Sequence, residues 1–295
     1  INVNFYKGKF MKKLNLATTA AVATVMTASS AYADLSLGGA VATLFMTGDS
    51  QSGVQQGGTS YTINVDYTTT LDNGMGLAAN VDLAPTNALY LMTLSSDVGS
   101  VYFGTDFSSA VDDMDGAQGA GKYAGGGRIM AGSWNDGDSA QGDGLGVSTS
   151  IAGASVKMSI GETGAGNAQP ISIAASMNIA GATVKAGNTD FDNATKDNGF
   201  VSVGYSVGGF SLGYNYYDSD TTSVTQIGAS TSVGGMGVGI SSAEGDNGSA
   251  ADTDAFGVHL NGSLGGAFWV VDYINTDNGD GSETDDYVIT FGTGF

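Results

Sequence analysis

The nine residues Tyr287-Val-Ile-Thr-Phe-Gly-Thr-Gly-Phe295 decide the fold class of this chain. Large side chains stand at Tyr287, Ile289, Phe291 and Phe295, and the residues between them are mostly small or polar. Side chains two residues apart in a β-strand share one face of the sheet, so the segment predicts a strand with one strongly apolar face. A membrane-spanning β-strand needs about 9–11 residues, which matches this length.

The same alternation recurs at Tyr61–Leu71, Ile171–Ile179, Val201–Val207 and Phe210–Tyr216. A soluble β-sandwich would bury the apolar face of such strands, whereas a membrane barrel turns that face toward lipid. Sandwich strands usually have about 5–6 residues, and several of these runs are longer. Beyond the N-terminal segment, no apolar run reaches the roughly 18 residues of a membrane helix. The pattern therefore predicts an all-β transmembrane antiparallel barrel.

Turn signals give the number of strands. Short turns rich in Gly, Asn and Asp, which suit tight hairpins, alternate with longer acidic segments. Seven such turns join fourteen strands, and one strand at each end (Leu35–Thr47 and Tyr287–Phe295) makes about sixteen. We expect short periplasmic turns and long external loops. The predicted turns are Asp72-Asn73-Gly74, Ser96-Asp97, Ala152-Gly153, Ala180-Gly181, Gly208-Gly209, Gly234-Gly235 and Gly265-Gly266; the predicted loops include Asp190–Gly199, Asp218–Ser223, Glu244–Asp254 and Asn275–Asp286.

An export signal precedes the first strand. Met11-Lys12-Lys13 is basic, Leu14–Ala28 is mostly apolar, and Ala31-Tyr32-Ala33 is a small-x-small cleavage site. Together they predict a secretory signal peptide that is cut after Ala33. We expect residues 1–33 to be an upstream extension plus this signal, and residues 34–295 to form the barrel.

The charge of residues 34–295 is strongly acidic. They hold all 29 Asp and Glu but only five basic residues, so the net charge is 5 − 29 = −24. This balance argues against a nucleic-acid partner, which requires basic patches. It favours cations as partners through the field of the whole protein. Solubility in a salty medium is the alternative reading of this charge.

One interval between turns is unusually long. Successive turns lie 24 to 31 residues apart, but Asp97 and Ala152 are 55 residues apart. The excess, about residues 105–144, predicts an over-long third external loop, which needs a functional reason. Together with the signal peptide, the sixteen strands and the terminal Phe, this loop resembles that of the general porins of Gram-negative bacteria. The segment Val101–Asp115 is similar to the strand-to-loop entry of alphaproteobacterial porins.

This resemblance implies a homotrimer of water-filled barrels in the outer membrane, with the third loop folded into the lumen. It places Asp112, Asp113 and Asp115 on the acidic side of a pore constriction, where rings of carboxylates favour cations. The terminal Phe295 resembles the signal that the outer-membrane assembly machinery reads, which implies a role in insertion.

The chain departs from the family pattern in its basic residues. Such porins commonly place basic residues on strands two to four, but here those strands present Asp66 and Asp82 to the lumen. Alternation predicts Lys157 and Lys185 in the lumen, on strands seven and nine. Arg128 is a further candidate pore-lining charge.

Two further features could indicate a metal or catalytic site, but each has a simpler explanation. His259 is predicted in the lumen, but the chain has one His and no Cys, so a metal or triad site lacks partners and a plain polar role is favoured. The oxygen-rich segment Asn275–Asp286 suggests Ca²⁺ at the acidic external loops. It lacks the spacing of a calcium loop, so a solvated loop is favoured and no other cofactor is expected.

These features predict an outer-membrane porin, not an enzyme, for passive diffusion of ions and small hydrophilic solutes with a preference for cations. A substrate-specific channel of the same architecture is the first alternative, although the lumen face lacks an aromatic track. A secreted acidic calcium-binding β-protein is the second, and it would need short Gly/Asp repeats that the sequence does not contain.

Overall fold

Alternating apolar and polar residues build a closed barrel in the computed structural model of the chain. The structure describes residues 34–49, 55–83, 88–107, 110–111, 142–161, 170–190, 198–219, 222–246 and 252–294. Each strand pairs with its neighbour in sequence, and β1 pairs with β16, so the antiparallel sheet has no free edge. No helix in these ranges is long and apolar enough to cross a membrane. The strands are β1 (Asp34–Gly48), β2 (Gln55–Thr70), β3 (Gly76–Leu83), β4 (Ala88–Ser96), β5 (Gly99–Phe107), β6 (Gly142–Ile151), β7 (Ala154–Gly161), β8 (Ile171–Ile179), β9 (Ala182–Asp190), β10 (Asn198–Val207), β11 (Phe210–Ser219), β12 (Ser223–Val233), β13 (Met236–Asp246), β14 (Thr253–Leu264), β15 (Ala267–Asp277) and β16 (Glu283–Gly294).

All seven predicted hairpins are present, and their turns gather at one end of the barrel, although the turn predicted at Ser96-Asp97 consists of Asp97 and Val98 in the structure. Five of them are two-residue turns in which both residues have positive φ, the conformation that matches the twist of the flanking strands. Gly supplies this conformation at most positions, but Ala152 adopts φ 51° ahead of Gly153 at 84°. Short turns mark the periplasmic end of membrane barrels, which gives the orientation of this one.

The pairing of β1 with β16 closes the barrel. Its register runs from Ala40 opposite Gly294 to Gly48 opposite Asp286. On the other side β16 pairs with β15, with Phe291 opposite Trp269. The last strand is thus fully paired, as the alternation of Tyr287 to Phe295 requires, although Phe295 itself lies outside the described residues.

The outer face of the barrel is apolar. On this face Ile173 is 48% exposed, Val201 42% and Ile240 49%, and each alternates with a small or polar inward residue. Aromatic rings stand near both ends of this face. Tyr273 and Tyr287 pack with centroids 5.2 Å apart near the external end, and Trp269 lies toward the turns. This is the arrangement of a barrel whose outer face contacts the hydrocarbon of a membrane.

The external segments are shorter than the sequence predicts. The alternation predicts loops at Asp218–Ser223, Glu244–Asp254 and Asn275–Asp286. In the structure, the first and last residues of each segment belong to the flanking strands. After β15, only residues 278–282 separate Asp277 from Glu283. The prediction was wrong here because strand residues beyond the apolar band are polar on both faces, so alternation ends before backbone pairing does.

Candidate functional site

The lumen is the cavity that the inward faces of the strands enclose. Register shows which residues share this face, because directly opposed residues point the same way. The inward residues are mostly small or polar, and on β7 to β14 many are nearly or fully buried. They include Ser159, Ser172, Ala174, Thr189, Ser202, Asn215, Gln226, Ser241, Ala243 and Ala255.

Two lysines lie on one side of this lumen. Lys157 on β7 stands opposite Ser148 and Ala174. Lys185 on β9 stands opposite Ser176 and Ser202, and these positions face inward as well. The structure therefore places both lysines where alternation predicted them.

The ammonium group of Lys157 lies beside an aromatic ring. Its Nζ lies 6.0 Å from the centroid of the Tyr102 ring, a cation–π distance. The Tyr102 ring covers Gly146 so closely that a Cβ at that position would collide with it. The absence of a side chain at Gly146 thus lets Tyr102 lie flat on the wall beneath the ammonium group.

Two aspartates lie on a different side. Asp66 on β2 and Asp82 on β3 stand opposite Asn80 and Asn64 respectively. The Asn80 side chain donates a 2.6 Å hydrogen bond from Nδ2 to Oδ1 of Asp66. Between β2 and β9 lie six strands one way round the barrel and eight the other way, so Asp66 and Lys185 are on nearly opposite walls.

The wall is ordered by contacts between inward side chains of adjacent strands. The hydroxyls of Ser172 and Thr189 are 2.8 Å apart, and Nδ2 of Asn215 donates to Oε1 of Gln226 at 3.3 Å. Nearer the external end, the rings of Phe200 and Tyr217 stack with centroids 6.4 Å apart.

The chain that follows β5 runs against this wall. Ala110 and Val111 are fully buried and belong to one apolar cluster with inward residues of β8 and β10 to β14. The backbone N–H of Ala110 donates a 2.8 Å hydrogen bond to Oγ of Ser159 on β7. The long segment between β5 and β6 therefore begins on the inner face of the barrel.

His259 on β14 has two polar partners. Its Nδ1 lies 2.6 Å from Oδ1 of Asp272 on β15, and Nδ2 of Asn261 lies 2.8 Å from its Nε2. Both ring nitrogens of His259 therefore have a polar partner, a carboxylate on one side and an amide on the other. Asn261 packs onto Gly237, where a Cβ would collide with it.

Sequence reasoning missed these partners of His259. Asn261 shares its face by alternation, and Asp272 is as far after the Gly265-Gly266 turn as His259 is before it. Reading the strands as a hairpin symmetric about this turn would have paired them. The three side chains form a continuous chain of polar contacts along the wall.

The candidate calcium segment uses its carboxylates internally. Asp285 accepts hydrogen bonds from Tyr273 (2.7 Å) and Asn275 (3.0 Å). In the turn after β15, Ser282 donates to Asp280 through both its backbone N–H and its hydroxyl, which holds the pKa of Asp280 below its usual value. Within the described ranges, no group of three or more acidic or His side chains is placed to hold a metal ion.

Several predicted site residues lie outside the described residues. These are the constriction candidates Asp112, Asp113 and Asp115, the candidate pore charge Arg128, and the terminal Phe295.

Comparison with known proteins gives one family and several similar folds. A family model described as Gram-negative porin matches residues 17–294. A search of curated protein sequences found no significant match.

Solved structures with a similar fold include an outer-membrane protein and two porins. A loop-deletion mutant of OmpT, an outer membrane protein of Vibrio cholerae, has a TM-score of 0.70 and 15% identity, over 90% of this chain and 100% of that one. A porin structure refined at 1.8 Å has a TM-score of 0.66 and 14% identity, over 88% of this chain and 100% of that one. A mutant of the Rh. blastica porin has a TM-score of 0.63 and 15% identity, with the same coverage.

Proposed function

Because the chain belongs to the Gram-negative porin family, and is thus an outer-membrane channel, we propose that it is a passive pore for ions and small hydrophilic solutes with a preference for cations. The observation that carries this proposal is the closed barrel with a polar inner face and an apolar outer face. Solutes would cross by diffusion, without chemistry at any residue. The alternative of a secreted calcium-binding β-roll does not agree with a closed barrel of this family.

Cation preference is proposed from charge. Residues 34–295 carry a net charge of 5 − 29 = −24, and a water-filled lumen lined by carboxylates raises the local concentration of cations. Lys157 and Lys185 oppose this preference on one wall only. Unequal opposite charges across the lumen would orient dipolar solutes while the net field still attracts cations.

We also propose that residues 112–141 fold into the lumen and narrow it, with Asp112, Asp113 and Asp115 at the constriction. Support comes from the start of the segment, where Ala110 bonds to Ser159 and Val111 lies buried against the inner wall. This start on the inner face favours an inward path for the rest of the segment.

Single-channel recording in a planar bilayer under a KCl gradient tests the channel and its selectivity together. The expected result is an open pore whose reversal potential has the sign of cation preference. A barrel that does not conduct, or a reversal potential of the opposite sign, would overturn the proposal.

The constriction is tested by neutralising three charges at a time. Replacing Asp112, Asp113 and Asp115 by Asn should reduce cation preference strongly. The matched control replaces Asp277 and Asp280 by Asn and Glu283 by Gln, which removes the same charge from the external turn after β15. If the control variant changes selectivity as much as the loop variant, the three aspartates are not at a constriction.

For assembly, we propose a homotrimer inserted by the outer-membrane assembly machinery, on the basis of family membership. Chemical cross-linking of the protein in isolated outer membranes should give a ladder that ends at three subunits. A ladder that ends at one subunit would contradict the trimer.

A further inference from the structure

A cavity of about 550 Å³ lies at the rim of the barrel, near its periplasmic end. Its lining comes from the inward Ser148, Ser150, Ser155 and Lys157 of β6 and β7, from the outward Thr149 of β6, and from the turn between β4 and β5. Small-molecule sites in proteins commonly have volumes of about 300–1,000 Å³. The cavity is therefore large enough for a small solute together with several water molecules.

The charged lining residues of this cavity are one cation and one anion. Lys157 projects from β7, and Asp97 stands exposed at the tip of the β4–β5 turn. A solute with only a negative charge would be repelled by Asp97, and one with only a positive charge would be repelled by Lys157. A solute that carries both charges satisfies both residues.

Serine hydroxyls line the wall of the cavity as well. Ser148 stands opposite Lys157, and Ser150 stands opposite Ser155, all on the inward face. In the part of the chain that the structure describes, none of these three hydroxyls makes a hydrogen bond to another residue. Each can therefore donate to and accept from a polar solute.

The turn that carries Asp97 is fixed by its own hydrogen bonds. Oγ of Ser96 donates to the carbonyl of Gly99 at 3.1 Å, and Oγ1 of Thr149 on β6 donates to the carbonyl of Val98 at 2.6 Å. The second bond ties the turn to the wall that carries the serines.

The position of Lys157 is also constrained. Its Nζ stands 6.0 Å from the Tyr102 ring centroid, and this ring lies on Gly146. An ammonium group has three donors, so Lys157 can bind a carboxylate while it keeps its place beside the ring.

From these observations we propose that the cavity is a binding site for small zwitterions of the amino-acid class. The solute carboxylate binds Lys157, its ammonium group faces Asp97, and the serine hydroxyls bind its remaining polar atoms. Because both charges are accessible to water, the binding is weak, and the solute can leave toward either end of the pore. The proposal rests on the proposed function, since the solute must reach the cavity through an open channel.

The test measures the reduction of single-channel KCl current by three probes with the same five-carbon chain. Norvaline carries both charges, pentanoate only the negative charge, and pentylammonium only the positive charge. Norvaline is expected to reduce the current at millimolar concentration. Loss of one weak charge pair corresponds to about a fivefold higher half-saturating concentration for each of the other two probes.

Three variants assign the effect to the cavity. Lys157→Gln and Asp97→Asn should each weaken the effect of norvaline by about fivefold. In Asp97→Asn, pentanoate should become as effective as norvaline, because the ammonium group no longer has a partner. Lys185→Gln is the matched control: it removes the same charge from the same inner face, two strands away and outside the cavity, and should leave the effect of norvaline unchanged.

The basal KCl current of each channel separates the two proposals. A chain that carries no current contradicts the proposed function, whatever the probes do. An open channel on which norvaline has no effect, or acts no better than pentanoate, overturns the zwitterion site alone. So does a Lys185→Gln channel that responds as weakly as Lys157→Gln, since the effect would then come from the general field of the lumen.

Discussion

His259 illustrates how one lumen residue is held in place by its neighbours. Asp272 and Asn261 engage both ring nitrogens, at 2.6 and 2.8 Å. Asp272 is only 6% exposed, so its carboxylate depends on protein donors rather than on bulk water. The three side chains also join β14 to β15 at a level where Val258 and Tyr273 face lipid.

We predict that His259→Ala destabilises the barrel, because it removes a donor from the buried carboxylate of Asp272. Leaving a buried charged group without such a donor costs about 1–3 kcal/mol. The free energy of unfolding in urea, measured on protein refolded into lipid vesicles, checks this value. Asp272→Asn serves as the control, since its amide oxygen still accepts the Nδ1 proton and its loss should be smaller. Equal losses in the two variants would contradict the explanation.

The sequence predicts which face of the barrel a side chain occupies, but it does not predict which other side chains it contacts. Alternation alone gave the inward faces of Lys157, Lys185 and His259, because the two-residue period of a strand leaves only two choices. It could not give the stacking of Lys157 on Tyr102, which depends on the room left by Gly146 on the intervening strand. Contacts of this kind arise from three strands at once, and no local pattern contains them.

At the scale of the element, β8 shows the two-residue alternation of outward and inward side chains on which the barrel is built. Ile171 and Ile173 are half exposed on the outer face, whereas Ser172 and Ala174 between them are buried on the inner face. A change of one position along the strand therefore moves a side chain from lipid to lumen.

We predict that Ile173→Arg destabilises the barrel by about 2–4 kcal/mol, because it places a charge in the hydrocarbon region. The control is Ser176→Glu on the same strand, which places a charge on the lumen face opposite Lys185 and should change stability by less than about 0.5 kcal/mol. Unfolding in urea in lipid vesicles measures both variants. Similar losses would mean that the assigned faces of β8 are wrong.

A second element-scale prediction concerns the end of β16. Deletion of Phe295 should lower the amount of folded barrel in the outer membrane, because the terminal aromatic is proposed to be read during insertion. The control Phe291→Leu keeps an apolar outward residue on the same strand and should assemble near the normal level. The fraction of heat-modifiable folded protein in isolated outer membranes is the readout, and a normal level for the deletion would refute the assignment.

Strand number and turn positions were predictable, but the external ends of the strands were not. Most of the tight turns use positive φ, so Gly marks them in the sequence. At the external end the strands rise above the apolar band, and both of their faces meet water. Composition there no longer distinguishes a paired strand from a loop, as Glu283–Asp286 shows: this segment reads as loop but pairs with β15.

At the scale of the molecule, the dominant property is negative charge. Asp and Glu ordinarily titrate near pH 3.9 and 4.3, so at neutral pH most of the 29 carboxylates are ionised. As pH falls through these values the carboxylates take up protons, and the attraction for cations is lost. Asp280, whose pKa is lowered by Ser282, should keep its charge to lower pH than most.

We predict that cation preference falls sharply between pH 7 and pH 3. The reversal potential of single channels under a fixed KCl gradient should move toward zero, or past it as the lysines become the main remaining charges. A reversal potential independent of pH over this range would show that carboxylates do not set the selectivity.

The closure of the barrel by its first and last strands has a consequence for biogenesis. Val41 on β1 meets Thr293 on β16, so the final contact cannot form until the whole chain has been delivered. Until then every partial barrel has two unpaired edges. The alternation of residues makes this delay tolerable, because an unfolded chain without long apolar runs can pass through the inner membrane without being retained there. The lipid-facing surface comes into existence only as the strands pair, in the membrane where it is needed.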